Sequence, residues 1–489
     1  MRFASTFVAA LLAAAALASQ AELTRLEITS QRPFGSFRAG DYVLMEGKVH
    51  GEIAPTEAIP GLDKAARNAN GKVEYAARIV LVIPAKPSQG NGTLIVDIPN
   101  RGRAYAQALY NSPRDEPFQS GTFEQGTGFL QDRGFAVAEV YWELGQGAEL
   151  PSFMEDGKKL YVEGVGFPIV RDTTDFLRND KSDANPLRGA VARVIGSGKS
   201  QSGRFLKTFL YGGFNKAGDR AILDGIHVFT SAGMLPLMRT SPGPESSANG
   251  IPTFDDVEWR GYTEEPLLVA KVAAGGPRMF VQNSTTDYYA IRSSLQRTGS
   301  AGTADVALPA NMRMYDMAGA PHAISPNAKC EMKPAVLDWT PISRALLLHL
   351  DAWIARGTEP PATILMPLEA AAPDAALRAP AHFPQAVIQV PKRDADGNAL
   401  GGIRLPDVEA PLGTHVGLNS TRTRGCMLVG GYVQFDAAQV AAHYKNRDDY
   451  VNRIRGSARK LVNDGFLLPE DAAIIVQEAA SSRAFAKGK

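Results

Sequence analysis

Val191-Ala-Arg-Val-Ile-Gly-Ser-Gly-Lys-Ser-Gln-Ser-Gly-Arg-Phe205 decides how the rest of this chain is read. Val191 to Ile195 is a short apolar run of the kind that forms a buried strand, and Arg204 to Tyr211 reads as a helix stopped by Gly212-Gly213. Between them lies a Gly/Ser turn. A serine on such a corner projects its oxygen clear of the backbone, provided the residues two before and two after it are small, because strand and helix approach closely there. Around Ser200 those residues are Gly198 and Ser202, and Gly203 follows. Ser200 is therefore the candidate nucleophile. Ser202 in that role would put Arg204 at the close approach, and Ser197 would put Lys199 there. Gly198-Lys199-Ser200 also imitates the end of a phosphate-binding loop, but that loop needs a glycine where Arg193 stands. A plain tight connection is the remaining reading.

Working outward, the chain upstream is rich in strands. Leu23 to Thr29, Tyr42 to Val49, Val73 to Ile83, Thr93 to Ile98 and Phe135 to Trp142 read as strands separated by turn residues. Phe167 to Leu177 has helical spacing. Downstream, Ile222 to Thr230, Arg278 to Asn283 and Met312 to Met317 are further strands, and Ile342 to Arg356 is an amphipathic helix. Alternating strands and helices imply a mostly parallel central sheet flanked by helices on both faces. The segment at about 234–276 reads as a cap insertion over the site, or as a long surface loop. Beyond residue 365 the pattern changes. Met366 to Pro380 looks like a linker, Val387 to Val408 looks extended with a turn at Asp394-Ala395-Asp396-Gly397, Met427 to Phe435 reads as a strand, and Asp448 to Asn463 and Pro469 to Ala480 read as helices. The expected division is a leader at 1–21, a catalytic domain at 22–365 and a C-terminal extension at 366–489 packed on the core.

A serine hydroxyl needs a general base, and the base needs an orienting carboxylate. In hydrolases built on such a sheet they follow in the order serine, acid, histidine. Of the seven histidines, His322 alone lies in a Gly/Ala/Pro loop between a late strand and a closing helix, within Gly319-Ala-Pro-His-Ala. Asp287 follows the strand Arg278 to Asn283 and is the candidate acid. Asp305 and Asp316 are the alternatives, and a helix-capping role for Asp287 is the structural one. Two backbone N–H groups are needed for the oxyanion. Gln201 would supply one, and Asn100 or Arg101, in the loop after Thr93 to Ile98, the other.

The remaining features bound the setting. Formal charge is +1, from 52 Lys+Arg against 51 Asp+Glu, so nothing calls for a nucleic-acid partner. Arg2, the apolar run Phe7 to Leu17 and the small residues up to Ala21 have the order of a secretory signal peptide. This predicts export to the periplasm or medium, with no membrane span after cleavage. Cys330 and Cys426 are the only cysteines, and in an oxidising compartment they are expected to form a disulfide. No metal motif such as His-Glu-x-x-His is present.

Ile98-Pro-Asn-Arg-Gly, Ser200-Gln-Ser-Gly-Arg-Phe-Leu, Gly319-Ala-Pro-His and Gly402-Ile-Arg-Leu-Pro-Asp-Val-Glu-Ala-Pro-Leu-Gly-Thr together resemble a bacterial family of exported α/β-hydrolase domain proteins. The likeness spans most of the chain. The elbow is also distantly similar to that of glucuronoyl esterases, whose serine is followed by a basic residue where this chain has Gln201. The resemblance implies the α/β-hydrolase fold and serine-hydrolase chemistry without a cofactor or metal. The expected activity is hydrolysis of a small-molecule or oligomeric carboxylic ester through an acyl-enzyme. A lactonase, amidase or acyltransferase on the same triad, and a non-catalytic binding protein on the same scaffold, are the alternatives.

Overall fold

In the computed structural model the described residues are 22–113, 125–243, 275–299, 301–372, 385–420 and 424–485. The expected leader, most of the expected cap and His382 lie outside them. The sheet is built from β1 (Glu22–Phe37), β2 (Gly40–Ile53), β3 (Val73–Pro84), β4 (Thr93–Asp97), β5 (Ala136–Val140), β6 (Arg193–Lys199), β7 (Gly225–Phe229), β8 (Arg278–Ser284) and β9 (Met312–Met317). Their order is β1-β2-β3-β5-β4-β6-β7-β8-β9, with the short segment Ala148–Glu149 beside β3. β1, β2 and β3 pair antiparallel, as do β3 and β5. From β5 to β9 every pairing is parallel.

The parallel strands are short, apolar and buried on both sides, as crossover helices require. Alternate residues of β3 go to opposite layers: Ile79, Leu81 and Ile83 join one apolar cluster, Val80 and Val82 the other. The first cluster also holds α1 (Gly166–Asn179) through Phe167, Ile169, Val170 and Leu177, and α2 (Gln201–Tyr211) through Phe205, Leu206 and Phe209. The helix Thr340–Arg356 contributes Ile342, Leu346, Leu350 and Trp353 to the second.

The segment after residue 365 shares that second cluster through Ile403, Leu405, Val408, Tyr450, Ile454, Phe466 and Ile475. Together with Ile364 just before it, it also closes the last edge of the sheet. Ile364 N–H donates to Met314 O (3.2 Å), Asp316 N–H to Ile364 O (2.9 Å), and Ile403 N–H to Asp316 O (2.7 Å). Two readings of this region need correction. Met427 to Phe435 is not one strand: Arg424–Leu428 is a short helix, and only Gly431–Gln434 is extended. Gly430, at φ 55°, makes the break between them. Val387 to Val408 turns at Asp394–Gly397 as expected, Gly397 N–H donating to Asp394 O (3.0 Å), but its strand is confined to Gln389–Pro391 and it ends in the helical turn Pro406–Glu409.

Candidate active site

β6 ends and α2 begins at Ser200, whose φ of 56° and ψ of −116° place a non-glycine residue in a strained region. The corner is held by hydrogen bonds on both sides. Ser200 N–H donates to Phe229 O (2.9 Å), and Asn100 Nδ2 donates to Lys199 O (2.7 Å). Ser202 Oγ accepts from Lys199 N (3.0 Å) and donates to Lys199 O (3.0 Å). A Cβ on Gly198 would lie 2.6 Å from Ser202 O, and one on Gly203 would lie 2.5 Å from Ser231 Cβ. The need for small residues therefore falls on Gly198 and Gly203. Ser202 is tolerated because its hydroxyl closes the turn.

Three elements bring Ser200, His322 and Asp287 together. His322, in the loop after β9, places Nε2 3.1 Å from Ser200 Oγ, and its Nδ1 lies 2.6 Å from Asp287 Oδ1. With the Nδ1 proton donated to the carboxylate, Nε2 is free to accept from the serine hydroxyl. Asp287 is also N3 of the helix α3 (Thr285–Ala290), which begins after β8. Its Oδ2 accepts from Ser284 N (2.7 Å), and its own N–H donates to Ser284 Oγ (3.2 Å), a reciprocal capping box. The carboxylate that lies against His322 Nδ1 therefore also caps a helix. Asp316 is committed elsewhere. Its Oδ2 accepts from Tyr288 Oη (2.7 Å), Arg297 Nη1 (3.0 Å) and Met366 N (2.9 Å).

For the oxyanion, Gln201 opens α2, so its N–H has no carbonyl four residues back within the helix. Arg101, at φ 52°, lies beside it and donates its N–H to Gln201 Oε1 (3.2 Å). The N–H of Asn100 donates to Arg103 O (2.8 Å) within the tight turn that Gly102 allows, and its side chain donates to Lys199 O.

The sequence reading missed the buried cations. Lys199 donates to His322 O (2.9 Å), Arg204 Nε to Ala232 O (2.7 Å), and Lys207 to Ser231 O. Burial pushes Lys199 down to about 8 and Arg204 down to about 10. His322 is held below the usual imidazole range, first by burial and then by the charge of Lys199, against the opposite pull of Asp287. The available signal was a cation at the end of a buried strand and two more along a helix whose every face is apolar or small.

Cys330 and Cys426 are bonded, with Cα atoms 5.6 Å apart, which ties the chain after His322 to the C-terminal segment. Nearby, Ala323 N–H donates to Leu428 O (2.9 Å) and Trp339 Nε1 to Pro321 O (3.1 Å). Among the described residues no cluster of ligands suits a metal ion, and no helix is long and apolar enough to cross a membrane.

No curated protein matches the chain in sequence. Several solved structures are similar to parts of it. The rice cell wall degrading esterase LipA from Xanthomonas oryzae is 12% identical over 60% of this chain and 90% of its own, with a TM-score of 0.29. Esterase B from Lactobacillus rhamnosis is 12% identical over 49% and 70%, with a TM-score of 0.25. The carboxylesterase Cest-2923 from Lactobacillus plantarum WCFS1 is 13% identical over 43% and 68%, with a TM-score of 0.24. The model of the alpha/beta hydrolase domain family matches residues 39–477, and the chain belongs to that family.

Proposed function

We propose that this alpha/beta hydrolase cleaves carboxylic esters, with Ser200 as nucleophile, His322 as general base and acid, and Asp287 as the group that orients His322. The observation that carries the reading is the unbroken run of contacts from Ser200 Oγ to His322 Nε2 and from His322 Nδ1 to Asp287 Oδ1. His322 takes the serine proton as Oγ attacks the carbonyl carbon, then gives it to the departing alcohol. Water, deprotonated by the same imidazole, releases the acid and restores Ser200. Gln201 N–H faces the oxyanion. Arg101 N–H joins it by turning away from Gln201 Oε1, which Glu143 also holds in place through Gln201 Nε2 (2.8 Å).

Export through the leader at 1–21 is part of this reading, supported by the disulfide, which persists where thiols are oxidised. So is a cap at about 234–276, whose first residues follow the carbonyls that Lys207 and Arg204 hold. The test is a fluorophosphonate probe and an ester panel on the purified chain. Labelling lost in Ser200→Ala, together with ester turnover, supports the reading. A protein that neither labels nor turns over any ester is a binding protein on this scaffold.

A further inference from the structure

Lys199 is a lysine with almost no exposed surface, 4% of its maximum, at the end of a central strand. Among the described residues no carboxylate stands within ion-pair distance of it. Its ammonium spends one donor on His322 O (2.9 Å) and sits 5.4 Å from the centre of the Tyr105 ring. Burying an ammonium without a carboxylate partner is costly, and a neutral side chain of the same length would fill the space more cheaply. A residue so placed earns its position by what it does to its one strong partner.

We propose that Lys199 is a positioning residue for His322: its buried ammonium holds the backbone carbonyl of the base and fixes the His322 loop against the corner that presents Ser200. This rests on the reading of His322 as the base. The two residues next to each other in sequence then serve the two halves of the site, Ser200 by its hydroxyl and Lys199 by its grip on the base. The groups that face the imidazole are Asp287 from α3, Lys199 from β6 and Arg204 from α2. The two cations oppose protonation of His322 and Asp287 favours it, so the sign is clear. The folded protein keeps the ring neutral at lower pH than a free imidazole, and activity is lost only as pH falls through that lowered midpoint. Removing the Lys199 charge moves the midpoint up.

The experiment compares the wild type with Lys199→Met and Lys199→Arg. It follows the His322 ring resonances against pH by NMR, identified by their loss in His322→Ala, together with ester kinetics. In Lys199→Met, kcat falls by about 10–100-fold, the scale of a displaced catalytic group, with KM changed by less than about threefold. The His322 midpoint and the acid limb of kcat/KM both rise. Lys199→Arg keeps the midpoint and recovers most of kcat. A Lys199→Met protein with an unmoved midpoint and an unchanged kcat overturns the proposal. Should Lys199→Met not fold, Lys199→Gln decides, since its amide can still donate to His322 O but carries no charge: a raised His322 midpoint supports the proposal, and an unmoved midpoint with an unchanged kcat overturns it. If Ser200→Ala still hydrolyses esters, the functional reading fails by a separate measurement, since the ring titration needs no turnover.

Discussion

The turn that presents Ser200 closes on its own neighbours and is pinned at its flanks by Phe229 and Asn100, whereas the loop that carries His322 is held mainly from distant parts of the chain. In the turn, Lys199 and Ser202 hydrogen-bond each other, and Gly198 lets α2 come within contact of β6. In the loop, Lys199 takes the His322 carbonyl, Trp339 takes the Pro321 carbonyl, Thr285 accepts from Gly319 N (2.8 Å), and Leu428 accepts from Ala323 N. The disulfide follows a few residues later. A device made of adjacent residues leaves its mark in sequence. A loop fastened from many points leaves little mark and should fail by degrees.

The largest expected effect tests the local device. Ser200→Ala should lower ester turnover by about 10⁴–10⁶-fold with an unchanged melting temperature. Ser202→Ala should stay within about tenfold of wild type, and if it is the dead variant instead, the assignment of the two serines is reversed. Next comes the junction between the two regions. Asp287→Asn should cost about 10⁴-fold in rate by presenting the wrong tautomer to His322. Asparagine still caps a helix, so thermal unfolding should move little. A loss of both rate and stability would show that the cap, and not the histidine, is what Asp287 chiefly serves.

Opening the Cys330–Cys426 bond tests the distributed support. Reduction should cost about 2–4 kcal/mol of stability, a figure that depends on the model of the unfolded chain. Activity should fall only in part, because Lys199, Trp339 and Leu428 still hold the loop. Complete inactivation on reduction, with the fold retained, would mean that the bridge carries the loop alone. The smallest effect returns to the turn. Ser202→Ala removes a buried hydroxyl with two partners and should destabilise by about 1 kcal/mol, read from denaturant midpoints.

What could be read in the sequence follows the same division. The strand Arg193–Lys199, the corner at Ser200 and the helix Gln201–Tyr211 announce themselves because apolar run, small residues and helix are contiguous. The central strands were legible from their β-branched runs, and Met312–Met317 falls where it was expected. The bonds of Asn100 to Arg103 O and Lys199 O were not legible, since they exist only once the turn has formed. Met427 to Phe435 looked like a strand by composition, but Cys426 is bonded to Cys330 and Gly430 turns the chain, so helix and strand divide it. The cations at 199, 204 and 207 gave no warning of their partners, which are backbone carbonyls on loops remote in sequence and, for Lys207, also Gln296 Oε1 (2.6 Å). Asp316 was a rival acid until Arg297, Tyr288 and Met366 N–H were seen to occupy it.

The bonds that Ile364 and Ile403 make along β9 set a limit on how far this protein can be trimmed. A chain cut just before Ile364 would keep every residue of the candidate triad, yet its last parallel strand would offer Met314 O and Asp316 N–H to whatever strand came near. It would also strip the apolar side chains that Tyr450, Ile454 and Phe466 cover. Such a shortened chain should not behave as a smaller hydrolase. It should self-associate through that open edge, so that the yield of dispersed protein, before any assay of turnover, becomes the measure of what the last quarter of the chain contributes.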